Sequence, residues 1–352
     1  MNLVYLLPDG LPGWPFSETS LTADPLASRR LRAALPARHL STLGHHIQIQ
    51  PLGGDLKTSQ GSGEITWLII GKISHPDPSA FRALAASVGA LVTKAKTEGM
   101  HVLVDYTDDI VAAGDPRSAS TLRLLQEADR VVCASEPLAS SVRRSGIDPS
   151  RIVVIADPVE GDRQPVHCLP EKGQPLRVLW FGHPTNLQPL LQLIAPLDAL
   201  RDHADFTLEI VAGLPPQQLN QLRSQLRHWP RRYAITLTPW NGQASVFEAL
   251  RRSQVAVIPI DRQGPKAAVS NNRLTEALWA GCFVVASPVA SYLPFREASW
   301  LGEDLVEGLR WVIDNPEKLQ AMVATGNEQI AAGFTPEAIA QQWQQALSLP
   351  GA

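Results

Sequence analysis

Asn271, Asn272, Arg273 and Glu276 are the residues of this 352-residue chain whose types and spacing most directly suggest chemistry. They lie in PKAAVSNNRLTEALWAGCFVVAS, residues 265–287, where a polar loop runs into a short amphipathic helix, Gly281 and an apolar strand. The asparagines and the arginine fall at the expected helix N-terminus, where unpaired N–H groups and the helix dipole favour an anion. Glu276 follows Asn272 by four residues and Arg273 by three, so all three share one helix face. Leu274, Ala277, Leu278 and Gly281 take the other face and are expected to pack on a sheet. A phosphate site with a carboxylate one turn along suits a nucleoside diphosphate, the carboxylate meeting the ribose diol. The plainer reading also stands at this point: an ordinary helix whose Asn caps and whose Glu is solvated.

Other polar residues follow apolar runs. Gly182, His183, Thr185 and Asn186 come directly after Arg177–Phe181, and Trp240 comes after Ala234–Thr238. The glycine permits a tight turn or close approach to a ligand, and the tryptophan could stack on a base or sugar. Asp105, Asp108 and Asp109 follow the run beginning at His101; three carboxylates this close repel, which suits a base or a hydroxyl-binding group. Lys72 and His75 follow Thr66–Ile70. Neither GxGxxG nor GxxxxGK[ST] occurs.

The elements that must carry these residues alternate. Strands are expected at Leu3–Leu7, His46–Pro51, Thr66–Ile70, His101–Asp105, Arg130–Ala134 and Ile152–Ile155. A second set is expected at Arg177–Phe181, Thr207–Ala212, Ala234–Thr238, Val255–Ile260 and Cys282–Ala286. Helical patterns fill the intervals, among them Ser28–Leu43, Pro78–Glu98, Ser118–Ala128, Glu136–Ser145 and Asn272–Ala280. This alternation predicts an α/β chain with parallel sheets covered on both faces. Residues 157–175 hold four prolines and little apolar periodicity, which marks a break. We therefore expect a first domain at 1–160, a linker at 161–175 and a second domain at 176–334. An amphipathic helix within 335–352 is expected to pack back on the first. Ligands of such sheets bind outside the carboxyl ends of the strands, which is where the polar residues above fall.

Composition excludes several classes. The chain is 44% hydrophobic and 18% charged with a formal net charge of −3, so nothing favours wrapping nucleic acid. The short basic clusters Arg29–Arg32 and Arg227–Arg232 read as solvated faces. Cys133, Cys168 and Cys282 form no CxxC or Cys/His cluster, so no zinc site is expected and a reducing cytoplasmic setting fits. No apolar stretch reaches 18 residues, and the opening MNLVYLLPDG reads as a first strand.

The C-terminal half also resembles the nucleotide-sugar-binding domain of GT-B glycosyltransferases, specifically the family-4-like group (glycosyl transferases group 1), with residues 266–287 the specific part. The matching run is VAVIPIDRQGPKAAVSNNRLTEALWAGCFVVAS: a strand ending in Pro, a Lys-bearing loop, a small polar helix start, EAL, a small-Gly pair and VVAS. ADRVVCASEPLASSVRRSG, IVVIADPVEG and the opening helix with Ser28 and Arg32 resemble that family more loosely. The resemblance implies a GT-B fold, two Rossmann-like doubly wound domains facing across a cleft. It implies that Lys266 contacts the donor diphosphate and Glu276 the ribose, with Ser270, Asn271 and Asn272 around the phosphates. It implies no cofactor, the nucleotide sugar being a substrate, and a glycan or glycoconjugate acceptor, with peripheral membrane association open. The family often carries a Glu eight residues before the ribose Glu; here that position is Ala268.

The expected reaction is metal-independent transfer from a nucleotide sugar to an acceptor hydroxyl, with retention favoured by the resemblance. Lys266 and Arg273 would stabilise the departing diphosphate. Asp109, or else Asp108, with Lys72 beside them, would meet the acceptor hydroxyl. Two rivals are kept, a GT-B nucleotide-sugar epimerase and a catalytically silent nucleotide-sugar-binding partner of another transferase.

Overall fold

The computed structural model describes residues 1–7, 26–51, 65–73, 77–170, 173–228, 233–262 and 265–348. His75 lies outside them, and the side chain of Lys266 is likewise not described. The described chain divides into two units. The first comprises Met1–Pro158, Ala268–Ser270 and Phe334–Ala352; the second comprises Val159–Ala267 and Asn271–Gly333.

The first unit is a six-stranded parallel sheet of order β2-β1-β3-β4-β5-β6. Its strands are β1 (Asn2–Leu7), β2 (His46–Pro51), β3 (Thr66–Ile70), β4 (His101–Tyr106), β5 (Arg130–Cys133) and β6 (Ile152–Val154). Alternation along each strand sends successive side chains to opposite faces. Val4, Leu6, Leu68, Ile70, Val102, Val104 and Tyr106 face one layer, made by α2 (Pro78–Thr97), α3 (Ser118–Glu127) and α4 (Glu136–Arg144). Leu3, Tyr5, Trp67, Ile69 and Leu103 face the other, made by α1 (27–42) and a helix at Pro336–Leu347. That last helix is capped by Thr335, whose hydroxyl accepts from Ala338 N at 3.2 Å, and it buries Ile339, Trp343 and Leu347.

Helix α1 departs from the uniform helix expected at Ser28–Leu43. Residues Arg30–Ala34 form a π turn, closed by Leu35 N–H to the Arg30 carbonyl. Pro36 is the cause: it has no N–H to give the Arg32 carbonyl, so the normal ladder fails at that point. The cluster Arg29–Arg32, expected on a solvated face, is instead inside. Arg29, Arg30 and Arg32 are 5%, 5% and 3% exposed.

The second unit is also a six-stranded parallel sheet, of order β12-β11-β10-β7-β8-β9. Its strands are β7 (Leu176–Gly182), β8 (Phe206–Ala212), β9 (Ala234–Pro239), β10 (Val255–Ile258), β11 (Phe283–Ala286) and β12 (Trp300–Leu301). Helices α5 (Leu187–Ile194), α6 (Pro216–His228), α7 (Gln243–Arg252) and α8 (Asn272–Trp279) fill the connections. Strand β10 stops at Ile258, short of the expected Ile260, because Pro259 has no ladder donor. Three elements lie beyond the sequence expectation: β12, α9 (Leu305–Asp314) and α10 (Pro316–Gly333). The apolar spacing Leu305, Leu309, Val312 and then Leu319, Val323, Ile330 carried the helical signal, whereas two residues are too few to show the strand's period.

Candidate functional site

In the second unit β7 and β10 are neighbours, and their connections leave in opposite directions, to β8 on one side and β11 on the other. This is the switch point at which open α/β sheets bind ligands. Gly182 ends β7, and the chain after β10 passes a single turn, Pro265–Ala268, before α8 begins. α8 buries Leu274, Ala277 and Leu278. It stops at Gly281, whose φ of +83° permits the left-handed turn. Gly281 N–H then donates to Leu278 O and Cys282 N–H to Ala277 O, both at 2.9 Å, closing the helix in a Schellman motif. The result aims the helix N-terminus at the strand ends.

Asn271 occupies the N-cap position but makes no side-chain capping bond. It is 8% exposed, and its buried Oδ1 meets no partner. The capping role allowed by sequence is therefore not what this side chain does. Arg273 sits against Gly182: a Cβ there would lie 3.4 Å from the guanidinium NH1. Burial pushes the fully buried Tyr292 phenol up, and Arg273 opposes that by its charge and by a side-chain hydrogen bond. A buried amide oxygen without a partner and a guanidinium beside a helix N-terminus form a polar site.

Glu276 is 3% exposed rather than solvated. Its Oε1 accepts from the Glu160 backbone N–H at 2.6 Å, and it lines a small hollow with Gly161, Gln164, Phe247 and Trp279. Trp279 holds the same segment, its indole N–H donating to Gly161 O at 2.8 Å. Glu160 is a residue that sequence reasoning missed; its contribution is a backbone N–H, which no residue type reveals. Asn272 and Ser270 are half-buried nearby in sequence, and Ser270 groups with the first unit. His183 is exposed and its ring caps the turn Pro184–Asn186, with Nδ1 3.0 Å from Thr185 Oγ1. Asn186 closes that turn through its N–H to His183 O at 2.9 Å. Trp240 is half-buried at the end of β9, tied to β8 by its N–H to Ala212 O at 3.0 Å.

In the first unit the three aspartates do not form one repelling cluster. Strand alternation sends Asp105 to the α1 face, where it is 3% exposed. Arg32 reaches it with NH2 to Oδ1 at 2.6 Å and Nε to Oδ2 at 3.1 Å, and also donates to Ile155 O at 2.6 Å. Burial raises the Asp105 carboxyl above the usual range while Arg32 pulls the other way; Asp105 and Asp157 hold Arg32 charged. Asp109 Oδ1 accepts from Ser141 Oγ at 2.8 Å, Ala112 N at 3.2 Å and Tyr106 Oη at 3.3 Å. Through Oδ1 it ties a loop together. Asp108 is ion-paired with Lys72, both partly exposed, and the two line a hollow with Thr107. Of the two acceptor-side candidates, Asp108 lines this hollow and Asp109 is engaged through Oδ1 in its loop. Among the described residues no group of three His, Cys, Asp or Glu could hold a metal ion. Among them, no helix is long and apolar enough to cross a membrane.

The geometry agrees with what comparison with known proteins returns. Residues 192–345 match a family model described as glycosyl transferase-like. No curated protein matches in sequence. Anabaena Alr3699/HepE, solved in complex with UDP, is similar in structure at TM-score 0.65 and 12% identity, over 99% of each chain. A glycosyltransferase from Rickettsia africae aligns at TM-score 0.62 and 14% identity, over 98% of this chain and 97% of that one. TarM aligns at TM-score 0.53 and 14% identity; the match covers 81% of this chain and 55% of TarM's length. The fold is GT-B. Its glycosyl transferase-like segment lies mostly in the second unit, in keeping with the group 1 glycosyltransferase resemblance read from residues 265–287.

Proposed function

We propose that this chain is a glycosyltransferase that moves a sugar from a nucleotide-diphosphate sugar to an acceptor hydroxyl of a glycan or glycoconjugate, without metal and with retention. The observation that carries the reading is the Arg273 guanidinium beside the buried, unpartnered Asn271 Oδ1 at the α8 N-terminus on the sheet's switch point. Phosphate oxygens fit both the guanidinium and the helix N–H groups, and Asn271 turns to a ligand hydroxyl or donates through its amide. Charge grows on the diphosphate as it leaves, so preorganised donors there favour the transition state. Glu276, whose Oε1 is held by Glu160 N–H, is the carboxylate that would meet the ribose diol. HepE, solved with UDP and with UDP-glucose, supports a uridine diphosphate donor as the first to test. The Asp108–Lys72 pair at the first unit's strand ends would orient the acceptor hydroxyl.

The test is transfer from UDP-glucose and a panel of other nucleotide sugars, with and without EDTA. Release of nucleoside diphosphate coupled to acceptor glycosylation, unchanged by chelator, is expected. Complete loss with EDTA, restored by magnesium, would overturn metal independence. A second reading, a nucleotide-sugar-binding subunit without turnover, draws on Ala268 in place of the family's frequent Glu. Nucleotide binding without transfer or hydrolysis across the panel would favour it.

A further inference from the structure

We propose that the hollow at the carboxyl ends of β3 and β4 takes an acceptor whose reacting hydroxyl stands beside a short apolar substituent, an alkyl, acyl or aryl group. This rests on the glycosyltransferase reading above. The hollow encloses about 480 Å³ including its open mouth and lies wholly within the first unit. Its walls are mainly apolar: Ile73, Phe81, Ala85, Ile110 and Leu124 supply them from the strand ends and from helices α2 and α3. Most of its polar groups are already engaged: Lys72 and Asp108 neutralise one another, Asp105 is paired with Arg32, and the Tyr106 hydroxyl accepts from Val111 N and donates to Asp109. Ser120 and Thr121 come from the first turn of α3. Thr107 adds a buried Oγ1 with no hydrogen-bond partner.

Each feature narrows the ligand. A phosphate would need unneutralised cations or a cradle of N–H groups, and Lys72 is already matched by Asp108. A sugar ring seated among Ile, Phe and Leu would leave several hydroxyls without partners, at a cost to affinity. A group carrying one or two hydroxyls near Thr107 and Asp108, with an apolar remainder, satisfies the orphaned hydroxyl and covers the apolar wall together. The apolar part must be short, because α2 and α3 close the hollow with Phe81 and Leu124, which are 1% and 8% exposed.

The test is calorimetric titration of the full chain with 1,2-alkanediols from propanediol to octanediol, each a pair of hydroxyls beside an alkyl tail of increasing length. Affinity should rise about fourfold per methylene over the first carbons and then level off as the hollow fills. Ala85→Phe and Thr121→Phe fill it from either helix. Each folded variant should lose the chain-length dependence while binding UDP as the unaltered chain does. Equal affinities along the series, no measurable binding, or dependence retained in the filled variants would overturn the proposal. Failure of UDP to bind the unaltered chain would count instead against the donor reading, leaving the alkyl series to decide the hollow by itself.

Discussion

Single side chains decide which roles are open. Glu276 is buried and already receives Glu160 N–H, so its removal and its neutralisation should differ. Glu276→Gln keeps an acceptor for Glu160 and should lower nucleoside diphosphate affinity ten- to a hundredfold, the size of a hydrogen bond to a charged group. Glu276→Ala should also destabilise the second unit by about 1–3 kcal/mol by orphaning that N–H, read from denaturant midpoints. Asp108→Asn should cut transfer while sparing UDP binding. Asp109→Asn should instead lower stability, since three donors lose their charged acceptor; normal stability together with lost transfer would restore Asp109 as the reacting carboxylate. The thiols give an independent check. Burial pushes Cys133 up to about 12 and also raises Cys282, whereas Cys168 is exposed. Thiolate is the reactive form, so a thiol reagent at neutral pH should titrate one group rapidly in the folded chain and three after unfolding. A second rapid thiol would show that one of the buried strands opens readily.

At the scale of elements, the sequence exposed what repeats and hid what depends on a partner. The sequence runs located eleven strands because the central ones, such as β1, β10 and β11, are buried and apolar throughout, while the edge strands β2 and β9 alternate apolar with polar residues. The segment 265–287 was legible as loop, helix, glycine and strand because each piece has its own local chemistry: a polar start, 3.6-residue spacing, a left-handed stop. Gly281→Ala tests that stop. The left-handed backbone alone costs about 1–2 kcal/mol, and the new Cβ would lie 2.1 Å from Pro165 O. A loss larger than the backbone cost is expected in denaturant unfolding; a smaller one would mean the 165–167 segment moves freely. The π turn of α1 was not legible, because Pro36 signals a broken ladder without saying which register replaces it. Nor was the Arg32–Asp105 pair, whose members lie 73 residues apart and meet only through the topology. Breaking it by Arg32→Met should cost about 3–5 kcal/mol, as for other buried pairs left half-made. The aspartates misled for the same reason: proximity in sequence was read as proximity in space, while strand alternation separates them.

For the whole molecule, the two units divide the chemistry. The second holds an anion-ready helix end and a buried carboxylate at its switch point; the first holds a mostly apolar hollow with one ion pair. The central claim is that the α8 N-terminus binds a nucleoside diphosphate. Calorimetric titration of the full chain with UDP, GDP and ADP tests it most directly, repeated on Arg273→Met, which keeps the stem and removes the charge. The account predicts saturable one-site binding of at least one of the three, weakened tenfold or more in Arg273→Met with the fold intact. Equal affinity in the variant, or no binding of any of the three by the unaltered chain, would contradict it.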